Sequence, residues 1–223
     1  MTRHFDQDLR HIEERFQAMG VLVQKAIHRS NDALLTLDRN IAMEVIDVIE
    51  PEVDRFQSEI DKIGLDLLAL QQPLASDLRL ITAIMKSTND LERMSDKAMN
   101  IAKRVISIIA NPAAKPMIEI SRMGDAAEAM VHDALEAFQR KDEQLARDVL
   151  KRDDEVDRFR DVAIRDLIEA MTASPELIQQ GLDLILASRN FERIADHATN
   201  IAEGVIFLVR GKDVRHHAES MGA

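Results

Sequence analysis

Apolar residues recur at alternating intervals of three and four along most of the chain, which places them on one face of an α-helix. The clearest stripe comprises Leu91, Met94, Ala98, Ile101, Val105 and Ile108. A second comprises Phe191, Ile194, Ala198, Ile201, Val205 and Leu208, and a third Ile49, Val53, Phe56, Ile60, Ile63, Leu67 and Leu70. The pattern predicts amphipathic helices that pack into bundles.

Prolines and short polar stretches divide this pattern into six helical segments. The predicted breaks are residues 35–40, Pro73, the linker that holds Pro112 and Pro116, residues 138–144, and Pro175. Three segments lie on each side of the linker.

The two sides of the linker repeat each other. Met19-Gly20 returns as Met123-Gly124, and the pentapeptide EVDRF occurs at residues 52–56 and again at 155–159. The offset falls from 104 to 103 and then to 100 along the repeat, as duplication followed by small loop deletions would leave. We therefore predict an all-α fold of two tandem three-helix bundles, at residues 1–110 and 117–212, with a C-terminal tail at 213–223.

Composition restricts the partners. The net charge of −11 makes nucleic acid a poor partner and a multivalent cation a plausible one. The absence of cysteine excludes disulfides, thiolate metal sites and cysteine nucleophiles. No apolar signal segment begins the chain, and its uncharged stretches are too short to span a bilayer, so we expect a soluble protein.

Acidic residues recur in pairs four positions apart, a spacing that places both carboxylates on one helix face, where they repel. The four pairs are Glu50/Asp54, Glu92/Asp96, Asp153/Asp157 and Glu192/Asp196. Each pair lies on the side of its helix away from the apolar stripe. Because this repulsion costs free energy, the presence of four such pairs indicates a function that offsets the cost.

Hairpin geometry predicts that these pairs converge. Residues equidistant from the turn of an antiparallel hairpin lie level, and the midpoint of Asp54 and Glu92 is the proline at position 73. The midpoint of Asp157 and Glu192 falls just before the proline of the second hairpin. Each bundle should therefore gather four carboxylates on its outer surface. Such groups raise one another's pKa, and oxygen-only ligands suit magnesium, calcium, manganese or iron, with zinc possible.

Ordinary roles for the same residues stay open. The neighbouring Arg55, Arg93, Arg158 and Arg193 could form surface ion pairs worth ~0–1 kcal/mol each, with no metal bound. We interpret His197 as a surface residue in preference to a metal ligand, and His28 and His132 as packing or surface residues. Asn100 and Asn200 either orient a ligand shell or belong to a plain polar face.

An enzyme is not expected, and no catalytic or organic-cofactor residues are proposed. Di-iron oxidases on helical bundles use Glu-x-x-His motifs that project inward, and no glutamate here precedes a histidine by three residues. The sequence also contains no glycine-rich phosphate loop and no serine nucleophile elbow.

Several segments together resemble the PhoU family of phosphate-uptake regulators. They are AMGVLV at 18–23, EPEVDRF at 50–56, QQPLASDLRLI at 71–81, NDLERMSDKAMNIA at 89–102, DDEVDRFR at 153–160, and RNFERIADHATNIAEGVIFLVRGKDVRH at 189–216. The resemblance implies two three-helix bundles whose Asp/Glu-x-x-x-Asp motifs, here the four acidic pairs, bind metal ions (iron, zinc, manganese or magnesium). One departure is Pro51, which falls inside the first pair and can kink its helix.

By this resemblance the protein is expected to be a cytoplasmic negative regulator of the phosphate regulon. It would couple the ATPase of the high-affinity phosphate ABC transporter to the phosphate-sensing histidine kinase, form a homodimer, and meet the membrane only through these partners. Two alternatives remain: a metal-independent acidic helical scaffold that docks basic partners, and a paralogous regulator of another transporter.

Overall fold

The computed structural model describes residues 2–110 and 118–211, and these ranges contain no β-strand. The helices are α1 (Thr2–Thr36), α2 (Arg39–Glu44), α3 (Glu50–Gln71), α4 (Ala75–Ala110), α5 (Ile118–Arg140), α6 (Glu143–Ala173) and α7 (Ile178–Arg210). A π-helical turn, Val45–Ile49, joins α2 to α3, and a 3-10 turn, Pro175–Leu177, precedes α7. The predicted linker at 111–116 and tail at 213–223 lie outside the described residues.

The helices form the two predicted three-helix bundles. In the first bundle α1, the rod formed by α2 and α3, and α4 pack together; in the second, α5, α6 and α7 do so. The bundles pack against each other chiefly along α4 and α7, and also along α1 and α5. The prediction of an all-α fold built from two such units is confirmed.

Both bundles turn from their first helix to their second through the same local structure. Leu37 and Lys141, equivalent in the repeat, both adopt the left-handed conformation with φ of 53°. The next residue then caps the following helix: Asp38 accepts from a backbone N–H at 2.7 Å, and Asp142 does so at 3.1 Å. These aspartates satisfy N–H groups that have no partner within the helix, which explains the two predicted breaks without proline.

The π-helical turn explains part of the drift in the repeat offset. Its hydrogen bonds close wider rings than those of an α-helix, so it holds one residue more than an α-helical turn. No π-helical turn interrupts α6, and the offset falls from 104 to 103 across this rod. This step is therefore an insertion within a helix, where a loop change was predicted. Pro51 lies just after this turn, at the second residue of α3.

The predicted apolar stripes form the core. All twelve stripe residues of α4 and α7 are buried, with exposures no greater than 9%. Leu70 is an exception in α3: it is 75% exposed because it lies in the last turn of that helix, at the tip of the hairpin. Within the described residues, every helix is too short or too polar to cross a membrane.

The repeated histidines lie where the bundles meet. His28 of α1 lies 3.2 Å from Glu128 of α5, and His132 of α5 lies 3.2 Å from Gln24 of α1. Positions 24 and 128 are equivalent in the repeat, so the two contacts are equivalent as well. Both histidines remain exposed, in agreement with the surface role predicted for them.

The repeated glycines mark the closest approach of α1 to α5. A Cβ atom added to Gly124 would lie 2.4 Å from the side chain of Asn31, and one added to Gly20 would lie 3.0 Å from Leu135. The Met-Gly dipeptide is thus repeated at a close contact between α1 and α5. A larger residue at position 124 would force Asn31 or a helix to shift, whereas one at position 20 would require only a small movement of the Leu135 side chain.

Candidate metal-binding clusters

Each bundle carries its predicted carboxylates on the outer surface of one hairpin. The first cluster consists of Glu50 and Asp54 on α3 with Glu92 and Asp96 on α4; the second consists of Asp153 and Asp157 on α6 with Glu192 and Asp196 on α7. Gln57 Nε2 donates to Asn89 Oδ1 at 3.1 Å, and these two positions are centred on position 73 like the acids. All eight acidic residues are exposed or partly buried.

The carboxylates of the first cluster act on one another across the hairpin. Partial burial raises the pKa of Glu50, and the charges of Asp54, Asp96 and Glu92 raise it further, against the opposing effect of Lys103. Partial burial likewise raises the pKa of Glu92, followed by the charges of Asp96 and Asp54. Among the described residues, no basic side chain forms an ion pair with these four acids. The first cluster therefore holds negative charge that nothing in the described chain neutralises by direct contact.

The second cluster contains a positive charge from the chain itself. Arg160 Nη1 donates to Asp157 Oδ1 at 2.8 Å and to Glu192 Oε1 at 2.6 Å, so the guanidinium links α6 to α7. Its Nη2 and Nε donate to Asp161 Oδ1 at 2.9 and 3.1 Å. The predicted ion-pair partner in this stretch was its neighbour Arg158, not Arg160. The available signal was the spacing, since Arg160 follows Asp157 by three residues and thus shares its helix face.

The other half of the second cluster keeps its negative charge. Partial burial raises the pKa of Asp153, and the charge of Asp196 on the facing helix raises it further, ahead of Asp157. The pKa of Asp196 is raised by partial burial and then by Glu192, while His197 and Arg160 oppose that shift. In the part of the chain that the structure describes, no basic side chain forms an ion pair with Asp153 or Asp196, and the charge of Asp196 acts on Asp153 across the hairpin.

In neither cluster do the ligand atoms of three side chains all lie within 4.8 Å of one another. Among the described residues, the one set of three acidic or histidine side chains whose ligand atoms all lie within 4.8 Å of one another is His132, Asp133 and Glu136. Asp133 is ion-paired with Arg152 and Glu136 with Arg140, so ordinary surface ion pairs account for that set. The donor chemistry of both clusters, four carboxylates on two helices, nonetheless fits a hard cation.

His197 and Asn200 connect the bundles. His197 Nδ1 lies 2.9 Å from Asp90 Oδ1 on α4, and Asn200 Nδ2 donates to the same oxygen at 3.1 Å. The His197 side chain is only 13% exposed, so its interpretation as a surface residue is wrong. Nothing in the local sequence could have indicated this contact, because Asp90 lies 107 positions away in the chain.

Comparison with known proteins finds matches to both bundles and to nearly the whole chain. The family model described as the PhoU domain matches residues 16–105 and 120–205, one match in each bundle. A protein of Pseudomonas putida named phosphate-specific transport system accessory protein PhoU homolog is 41% identical over 217 residues, covering 97% of this chain and 84% of the relative. A relative of the same name from Aquifex aeolicus is 36% identical over 217 residues, covering 97% and 98%.

Two crystal structures share the fold. PhoU from Pseudomonas aeruginosa matches with a TM-score of 0.88 at 39% identity, covering 93% of this chain and 100% of that one. The phosphate transport system regulatory protein PhoU from Streptococcus pneumoniae matches with a TM-score of 0.87 at 31% identity, covering 94% and 99%.

Proposed function

The chain belongs to the PhoU family, and on that premise we propose that it is a cytoplasmic negative regulator of phosphate uptake. It would couple the ATPase of a phosphate ABC transporter to a phosphate-sensing histidine kinase, as a homodimer and without catalysis of its own. The names of its relatives, which describe an accessory and a regulatory protein of phosphate transport, support this role. The net charge of −11 supports protein partners over nucleic acid.

The same proposal includes metal binding at the first cluster. The observation that carries it is the set of four carboxylates on α3 and α4, which lack an ion-pair partner among the described residues. Within this set, partial burial and the charges of the neighbouring acids raise the pKa of Glu50 and of Glu92. A bound iron, manganese, zinc or magnesium ion would neutralise this charge. Glu50 and Asp54 would hold it from one helix, Glu92 and Asp96 from the other, so that binding would fasten α3 to α4.

A metal-independent acidic scaffold is the second candidate, and Arg160 is the observation that favours it. In the second cluster this side chain already neutralises two of the four acids. If the first cluster also bound no metal ion, the protein would act only by docking its acidic helix faces against basic partners. The two candidates differ in whether regulation requires the first cluster to bind an ion.

A genetic experiment tests the regulatory role. Deletion of the gene is expected to switch on phosphate-starvation genes in phosphate-rich medium, and the wild-type gene should restore repression. Asp54→Asn combined with Glu92→Gln should restore less repression, whereas Arg158→Gln should complement fully. A reporter that stays off in the deletion strain would refute the regulatory proposal. Full complementation by the first-cluster variant would favour the metal-independent scaffold.

A further inference from the structure

The two acidic clusters differ at one level of their hairpins. Position 57 of α3 corresponds to position 160 of α6, and position 89 of α4 to position 189 of α7. In the first hairpin these positions hold two neutral amides, Gln57 and Asn89, which bond to each other at 3.1 Å. In the second hairpin both are arginines, and two level arginines cannot form the equivalent hydrogen bond.

Arg160 is accordingly directed at the acids. Its side chain is only 22% exposed, and its guanidinium makes two hydrogen bonds within the second cluster, to Asp157 at 2.8 Å and Glu192 at 2.6 Å. Arg189, level with it on α7, is exposed. A planar guanidinium that bridges two helices in this way holds charge-assisted hydrogen bonds that an incoming ion would have to break.

The first cluster has nearby cations too, but of a different kind. The charge of exposed Lys103 opposes the raised pKa of Glu50, and the charges of Arg93 and Lys97 oppose that of Glu92. Within the described part of the chain, none of these cations forms an ion pair with the first cluster. An exposed lysine can move aside at little cost, because side-chain charges in solvent are screened. Arg160 by contrast occupies carboxylate oxygens directly.

We propose that Arg160 takes the place of a metal ion in the second cluster, so that the two bundles bind metal unequally. The first cluster offers four carboxylates without an ion pair among the described residues, whereas in the second Arg160 already holds one oxygen of Asp157 and one of Glu192. This inference rests on the proposed metal binding of the first cluster. The two repeated bundles then differ in what links the helices of their hairpins. An ion from solution links α3 to α4, whereas the Arg160 side chain links α6 to α7.

Metal titration of the full-length chain tests this. In a background with the first cluster disabled by Asp54→Asn and Glu92→Gln, Arg160→Gln is expected to raise Mn²⁺ affinity about tenfold, since no guanidinium then competes. Calorimetry after chelator treatment measures the affinity, and electron paramagnetic resonance counts the bound ions. Arg158→Gln is the matched control. It removes an equal charge two residues away. Arg158 Nε donates to the backbone oxygen of Asp154 at 3.0 Å, and among the described residues Arg158 forms no ion pair with the second cluster, so the affinity should stay unchanged.

The reciprocal change covers the case in which Arg160→Gln fails to fold, as judged by circular dichroism. In the otherwise unchanged protein, Gln57→Arg should place a guanidinium beside Asp54 and Glu92. It is expected to lower the Mn²⁺ affinity of the first cluster by about tenfold, by the same competition.

Each outcome has a distinct meaning. If Arg160→Gln changes the affinity no more than Arg158→Gln does, or if Gln57→Arg has no effect, the role given to Arg160 is overturned while metal binding at the first cluster stands. If neither the unchanged protein nor any variant binds Mn²⁺, Fe²⁺ or Zn²⁺, the proposed metal function itself is overturned, and this inference with it.

Discussion

Replacing Gly124 by alanine is expected to destabilise the contact between the two bundles. The added Cβ would lie 2.4 Å from both Cγ and Oδ1 of Asn31, far inside ordinary van der Waals separation. Asn31 has little room to withdraw, since it is 3% exposed and donates to Asp125 Oδ1 at 2.9 Å. Relief therefore requires either a shift of α5 away from α1 or the loss of that hydrogen bond.

The magnitude follows from three contributions. Overpacking of a filled interior costs about 1–3 kcal/mol, and loss of the Asn31–Asp125 hydrogen bond costs about 1 kcal/mol. Alanine returns about 1 kcal/mol because it is the better helix former. Since the clash is relieved by either the shift or the lost bond, and alanine returns about 1 kcal/mol, we expect Gly124→Ala to lower the free energy of unfolding by up to about 2 kcal/mol.

Urea denaturation followed by circular dichroism measures this loss, and Gly204→Ala is the matched control. A Cβ on Gly204 would meet only Ser87 Oγ, at 3.7 Å, an ordinary contact. This control should gain up to about 1 kcal/mol from helix propensity. Equal stabilities of the two variants would contradict the close contact between α1 and α5 at Gly124.

Three further predictions concern charge. In the presence of chelator, Glu50→Gln with Glu92→Gln should raise the stability by up to about 1 kcal/mol at pH 8 but not at pH 4. The reason is that both glutamates have a raised pKa in the folded state, so their ionisation above that pKa disfavours folding. Arg104→Ala should cost about 1–3 kcal/mol in urea denaturation, because Asp183 is 2% exposed and Arg104 Nη1 lies 3.4 Å from it. Mn²⁺ at a hundred times its dissociation constant should add about 2.7 kcal/mol to the stability of the chelator-treated protein.

Each of these has an outcome that contradicts it. An equal gain from the paired glutamine variant at pH 4 would mean that charge is not its cause. Arg104→Ala should be compared with Arg158→Ala, which loses only a bond to the backbone, and similar stabilities would show that Asp183 does not need Arg104. Mn²⁺ stabilisation that survives Asp54→Asn with Glu92→Gln would place the bound ion elsewhere.

The sequence alone could predict the hairpin register, because each feature involved is local. The apolar stripes define the buried faces, prolines mark the turns, and a fixed rise per residue then places residues centred on the same turn at one level. The contact between Gln57 and Asn89, which was not used in that prediction, has the same centre. Spacing arguments of this kind succeed wherever two straight helices follow each other in the chain.

Features that depend on contacts distant in sequence, or on the hydrogen-bond pattern inside a helix, could not be predicted. The partner of His197 lies in the other bundle, and no periodicity links it to Asp90. The π-helical turn before Glu50 does not interrupt the apolar pattern of the helix. Its one trace in the sequence is that the distance between equivalent residues of the two repeats falls by one. Helical spacing places Arg160 beside Asp157, but the hydrogen bond from Arg160 to Glu192 depends on how α6 packs against α7.

Metal binding by the first cluster is tested most directly by anomalous X-ray scattering from crystals of the full chain grown with Mn²⁺. A strong anomalous peak is expected between α3 and α4, in contact with carboxylates of the first cluster, and a weaker peak or none between α6 and α7. Asp54→Asn with Glu92→Gln should abolish the first peak. Mn²⁺ found only outside both clusters, or a first peak unchanged in that variant, would contradict the claim that the hairpin gathers these acids to hold a cation.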